Sequence, residues 1–341
     1  MSIFARKVKT PQELVSIGEN CMNIIEQRQD ARQVEKAKTE LYSVLGDMKV
    51  ILMGTPEVEP NPDTIRELTT SIVDAELLCN LVLHVEALEF EARKNLVQIF
   101  SNLLRRQFEG SYPMVDYICR NAFMIDCLIV GYENLEVSMN CGSMLQECIR
   151  HEELARLVFR SENFWKLFQY VSCHNFDIQS DAFKTFKELL TTHKTLAAEF
   201  LAEEFDAFFG HFMQLLDSDN YATQKLSLKL LGELLLDRSN YHVMTRFITI
   251  PDFMKKMMVL LRSKKGVSLE AFNVFKIFAA NPKKPPEIVS ILLKNRDKLI
   301  DFFEEFQKGS GEDHFKVEKE VVINAIRSLD VEDELLEVEK A

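Results

Sequence analysis

Glycine and proline are scarce in this 341-residue chain, 11 and 9 in all, about half the usual share of each. Few breakers mean few tight turns, and no glycine-rich loop able to cradle a phosphate is present. No apolar run approaches the ~20 residues a membrane span needs, and Met1 to Lys9 contains no apolar leader core. The expectation is a cytoplasmic protein without membrane insertion. Seven cysteines (Cys21, Cys79, Cys119, Cys127, Cys141, Cys148 and Cys173) are an odd number and are never spaced Cys-x-x-Cys. They read as free thiols in a reducing compartment rather than as a disulfide framework or a zinc site.

Catalytic signatures are also missing. His151-Glu152-Glu153-Leu154-Ala155 begins like a zinc-protease helix, but Ala155 stands where the second histidine is needed. Asp217-x-Asp219 could open a calcium loop, yet Tyr221, Ala222 and Leu228 fill positions that require an oxygen ligand, a glycine and a glutamate. There is no nucleophile elbow and no kinase signature. These absences predict a protein that is not an enzyme and carries no cofactor and no metal.

What the chain has in abundance is the amphipathic helix. Segments such as FEARKNLVQIFSNLLRR, FDIQSDAFKTFKELLTTH, NYATQKLSLKLLGELLLDR and VSLEAFNVFKIFAAN return apolar residues at three- and four-residue steps. Aligning them on Phe100, Leu145, Phe186, Leu231 and Phe275 gives intervals of 45, 41, 45 and 44 residues. That period is the size of a HEAT or armadillo unit, whose helices bury their apolar faces only by stacking on neighbours. The spacing predicts an all-α, armadillo/HEAT-like, right-handed helical-repeat solenoid. Breaks are expected at 54–62, 110–113, near 131, and at 173–175, 217–220, 250–251, 281–286 and 309–313. One armadillo-like domain is expected over 1–329, with cap helices at 10–53, a closing helix at 313–329, and a disordered acidic tail at 330–341.

Charge narrows the function. A net charge of −12 disfavours nucleic acid, since neutralising phosphates takes a basic face. The distribution is uneven. Arg238 to Lys298 holds thirteen Lys or Arg against four acids, a local +9. Methionines 244, 254, 257 and 258 lie among these cations, with the aromatic stripe Phe272, Phe275 and Phe278 beyond them. Most are expected in the core. If Met258 emerges between helices rimmed by Arg238, Lys255 and Lys294, the groove suits a short peptide with an aromatic anchor and a carboxylate.

The stretches QIFSNLLRRQ, YICRN, MNCGSMLQECIRHEELA, FDIQSDAFKTFKELLTTHK, SLKLLGELLLDRSNY and FNVFKIFAANPKK resemble the calcium-binding protein 39 family, also called mouse protein 25, collinearly over nearly the whole chain. The resemblance implies a non-catalytic armadillo-like scaffold that binds and activates kinases or pseudokinases of the sterile-twenty type. Through the pseudokinase adaptor it implies a ternary complex with a tumour-suppressor serine/threonine kinase. It also implies two sets of contacts: a tail pocket formed by Arg238, Tyr241, Lys255, Met258 and Lys294 for a Trp-Glu-Phe-like terminus, and a concave kinase-binding face carrying Phe176, Tyr221 and Lys225. Lys225 stands where the family commonly has Arg, which removes a planar bidentate fork, and Tyr241 where it often has Phe. A helical-repeat adaptor for trafficking or transport cargo is the alternative reading.

Overall fold

The structure, a computed structural model, describes residues 9–27, 30–57, 59–306 and 313–329. The acidic segment from Asp330 to Ala341 and most of the break expected at 309–313 lie outside the described residues. Twenty α-helices, four short 3-10 turns and no β-strand make up the described residues, so the all-α helical-repeat class is what the chain adopts. The remaining expected breaks all fall between helices, apart from Pro62, Pro113, Pro251 and Pro286, each of which opens a helix at its first position. Proline is tolerated there because its missing N–H would have had no intrahelical partner.

The described residues form two compact units, one ending at Leu196 and one beginning at Ala197. In the first, Pro11–Gln27 packs on Ala31–Met53, which in turn packs on Phe90–Leu104. Phe90–Leu104 then packs on Ser138–Ile149, and Ser138–Ile149 on Phe176–Thr191. In the second unit, Tyr221–Leu236 packs on Lys265–Ala280, and Lys265–Ala280 on Asp313–Arg327. These inner helices carry the five residues used to set the repeat. Phe100, Leu145, Phe186, Leu231 and Phe275 are all fully buried, as the stacking of repeat helices requires of a shared apolar stripe.

Local chemistry starts the inner helices at matching points. Asn175 accepts from the amides of Asp177 and Ile178 at 3.0 and 3.1 Å, and Asn220 from those of Ala222 and Thr223 at 2.9 and 3.2 Å. Each asparagine satisfies orphan donors of the first turn and fixes the residue after it, Phe176 or Tyr221, at the helix start.

Aromatic packing holds the second unit together. Phe247 stacks on Phe253 with centroids 4.3 Å apart, and both contact Phe209. Phe272 meets Phe303, Phe306 and Phe315, which seats the helix Arg296–Glu305 against Lys265–Ala280. Phe272, Phe275 and Phe278 are core, as expected.

Candidate partner-binding site

The helix Pro251–Leu260 points Met254 and Met257 into the core and leaves Met258 half-buried. One further residue turns the helix by about 100°, so neighbouring methionines serve opposite purposes. Met258 lines a cavity of about 570 Å³ together with Lys255, Val259 and Arg262. Those four residues fall at i, i+3, i+4 and i+7, one stripe of the helix and its exit turn. The opposite wall is a second stripe with the same spacing: Ile291, Lys294, Asn295, Lys298, Leu299 and Phe302.

The floor is therefore apolar and the rim cationic. No acidic residue lines this cavity among the described residues. Lys255 forms an exposed ion pair with Asp252 at 3.0 Å, whereas Arg262, Lys294 and Lys298 form none within the described residues. Other cations of the basic region are engaged: Arg246 with Asp206 at 2.7 Å, Lys276 with Glu318 at 2.8 Å, and Lys256 with Asp217. Lys284 donates to the Asn281 carbonyl at 2.7 Å, and burial pushes its ammonium below the usual lysine range. Segregated charge thus resolves into a few available cations around one apolar depression.

Lys255, Met258 and Lys294 are brought together here, and two residues grouped with them are not. Tyr241, about 60% exposed, lines a separate groove of about 690 Å³ with Leu236, Ile248, Ile277, Val317 and Val321. Arg238 is exposed in the 3-10 turn Arg238–Asn240 and lines neither. Lys298, Leu299 and Phe302 were not singled out from sequence. Their signal was the continuous three-and-four spacing from Ile291 to Phe302, which the helix break at Asn295 conceals.

Phe176, in the first unit, is about 71% exposed at the first position of its helix. Tyr221, in the second, is half-exposed with Lys225 one turn on. Gly266 lies against both: a Cβ at 266 would overlap the Tyr221 hydroxyl and touch Lys225 Cδ. A side chain at 266 would therefore have to push the end of the Tyr221 ring aside.

The near misses of the sequence are occupied by ordinary packing. His151 rests edge-on against Tyr112 at 5.2 Å, and burial holds its imidazole below the usual histidine range. Asp217 is taken by Lys256. Burial pushes the Cys141 thiol up to about 12, far from a reactive thiolate. Among the described residues no group of three or more His, Cys, Asp or Glu is placed to hold a metal, and no helix is long and apolar enough to cross a membrane.

A family model described as Mo25-like matches residues 2–330. The chain belongs to the Mo25-like family. The human protein named calcium-binding protein 39-like is 44% identical to this Mo25-like chain, covering 96% of it and 98% of its own length. MO25-like protein 2 of Caenorhabditis elegans is 41% identical over 96% and 99%, and the Mo25-like protein of Schizosaccharomyces pombe 40% over the same shares. Among solved structures, an engineered protein aligns with a TM-score of 0.48 at 13% identity, covering 94% of this chain and 84% of its own. A designed armadillo repeat protein in complex with the peptide (KR)4 aligns at 0.43 and 14% identity, over 78% and 99%. Likenesses so slight carry no argument.

Proposed function

We propose that this chain is a non-catalytic scaffold that binds and activates serine/threonine kinases or pseudokinases of the sterile-twenty type, holding a Trp-Glu-Phe-like tail in the cavity at Met258. The observation that carries the reading is the cationic rim, Arg262, Lys294 and Lys298, without an ion pair among the described residues, around an apolar floor of Met258, Leu299 and Phe302. An aromatic side chain entering the floor supplies affinity, and carboxylates meeting the rim set register. Family membership supports a scaffold of this type.

Phe176 and the Tyr221, Lys225 patch supply the contacts to the kinase-like fold itself. A kinase exchanges between open and closed arrangements, and a surface that fits the closed one raises its population. Moving that balance from 1:99 to 99:1 takes about 5.5 kcal/mol of differential binding. A tethered tail makes the second contact intramolecular and helps reach it. The pseudokinase adaptor so held would carry the tumour-suppressor-type kinase into the ternary complex, in the cytoplasm.

The test is calorimetric titration of a synthetic peptide ending in Trp-Glu-Phe into the wild-type chain and a Met258→Ala, Lys294→Ala variant. The proposal expects at least tenfold weaker binding to the variant. Equal affinity would sink it.

A further inference from the structure

Ten residues ahead of the buried anchors Phe100, Leu145 and Phe186 stand Phe90, Leu135 and Phe176. At 65%, 68% and 71% exposure, these are the three most exposed large hydrophobic side chains among the described residues. The repeat that buries one apolar residue per unit therefore also exposes one, at a fixed register. Phe90 and Phe176 open their helices, and Leu135 lies three residues ahead of Ser138–Ile149, whose second residue, Met139, is exposed too. The three helices pack on one another in turn, all within the first unit. Isolated exposed apolar residues are ordinary on a protein surface, but a row held in register on stacked helices marks a surface made to be covered.

The row is held rigidly. Arg93, buried, donates to the carbonyls of Leu88 at 2.8 Å, Glu86 at 3.1 Å and Glu136 at 2.9 Å, and to the Glu136 carboxylate at 3.2 Å. One guanidinium thus clamps the turn before Phe90 to the loop that carries Leu135. On the other side of that loop, Glu133 accepts from Lys166 at 2.9 Å and from Tyr170 at 3.0 Å, and Tyr132 donates to Asp181 of the Phe176 helix. A surface fixed in this way loses little freedom when a partner settles on it.

Charge tells what settles there. The segments 86–91, 133–139 and 172–177, which carry the row, hold six exposed acids and no lysine or arginine: Glu86, Glu89, Glu91, Glu133, Glu136 and Asp177. Lys94, Lys166 and Arg93 pair with Glu91, Glu133 and Glu136, which leaves Glu86, Glu89 and Asp177 without an ion pair among the described residues. The helix dipole accounts for an acid in a first turn, as at Glu91 and Asp177, but not for a bulky apolar side chain exposed beside it. The Phe90 ring already takes the Lys94 ammonium over its face at 5.1 Å, the contact a partner's cation would make on Phe176. An acidic edge repels phosphates, so neither nucleic acid nor an anionic membrane is the occupant.

We infer that Phe90, Leu135 and Phe176 dock an extended, basic segment of a partner protein whose bulky apolar side chains recur at every third residue. Packed helices lie about 8–10 Å apart, and a polyproline II chain returns to the same face every third residue, about 9 Å on. Apolar side chains at that spacing meet one rung per repeat, and lysines or arginines between them meet the acids. This docking does not rest on the kinase reading, with which it shares only Phe176.

The probe is a labelled peptide of four Leu-Pro-Lys repeats, with a control of the same composition whose leucines are placed in adjacent pairs. Fluorescence anisotropy is followed on the wild-type chain, on a Phe90→Ala, Leu135→Ala variant and on a Glu89→Lys, Asp177→Lys variant. All four side chains are exposed, so both variants should melt as wild type does. The expected result is binding of the repeat peptide at least fivefold weaker to either variant, and fivefold weaker binding of the control to wild type. Kinase recovery is measured on the same variants. Peptide binding lost with kinase recovery kept upholds the row as a separate site; both lost upholds the row and makes it part of the kinase contact. Equal peptide binding to all three proteins, or none to wild type, overturns the inference whatever the kinase does. A wild-type dimer in sedimentation that Phe90→Ala, Leu135→Ala dissociates also overturns it, because the row would then belong to a second copy of the chain.

Discussion

Tyr132 donates its hydroxyl to Asp181 Oδ2 at 2.7 Å, tying one repeat to the next across the first unit. The same hydroxyl lies 2.8 Å from Thr185 Oγ1, while Gln146 Nε2 donates to Asp181 Oδ1 and to Thr185 Oγ1, each at 3.0 Å. Buried polar networks of this kind stay favourable only while every member is paired. Tyr132→Phe is expected to destabilise by about 1–3 kcal/mol, because Asp181 and Thr185 each lose a partner. Gly142→Ala should do more, since its Cβ would overlap the Asp181 carboxylate and crowd the Tyr132 ring. Urea melts of both variants check the order; a Tyr132→Phe midpoint equal to wild type would refute the role given to this network.

Gly266 offers a way to move Tyr221 without deleting it. Gly266→Ala is expected to displace the Tyr221 hydroxyl and reduce kinase activation as Tyr221→Ala does, leaving affinity for the tail peptide within twofold of wild type. The two assays read separate surfaces. Parallel losses in both would mean the tail cavity and the Tyr221 patch are not separable.

Phe275 and Phe176 sit on equivalent inner helices with opposite surroundings, one fully buried and one about 71% exposed. Phe275→Ala is expected to destabilise by about 3–5 kcal/mol through lost burial and a residual void. Phe176→Ala should change stability by no more than about 0.5 kcal/mol and instead weaken kinase binding. Thermal melts and a kinase pull-down on the two variants distinguish these outcomes.

Stability should fall at both ends of the pH range for identifiable reasons. Burial pushes the Cys141 thiol up to about 12, whereas an unfolded thiol ionises near about 8.5. Between those values the unfolded chain releases a proton that the folded chain keeps, so stability declines as pH rises, on the order of 1 kcal/mol per unit. His151 behaves in the opposite sense. Its imidazole is held below the ordinary value by burial, so its contribution is full above about pH 6.5 and shrinks as the unfolded state gains the proton. Cys141→Ala should flatten the alkaline limb, and His151→Asn the acid limb, of denaturation midpoints taken across pH 5 to about 11.

The repeat was legible because stacking forces every inner helix to bury the same stripe. Five anchors spaced near 44 residues are enough to find it, and all five are fully buried. Helix ends were legible where asparagine or proline marks them, at Asn175, Asn220, Pro251 and Pro286. The site was only half legible. Lys255, Met258 and Lys294 meet, but Tyr241 lines another groove and Arg238 neither. Arg238 and Tyr241 lie two and five residues beyond the end of the Tyr221–Leu236 helix, where charge and proximity in sequence say nothing about direction.

By itself the sequence determined the helical periodicity, the repeat length, the concentration of cations between Arg238 and Lys298 and the family, all properties carried by residue order. Tertiary structure decided which cations remain available. Arg246, Lys256 and Lys276 are paired to acids 40, 39 and 42 positions away, elsewhere in their unit, so their engagement depends on packing rather than on neighbours in the chain. Packing also decided that Met254 and Met257 are core while Met258 faces the cavity, because a turn of about 100° per residue gives adjacent side chains different surroundings.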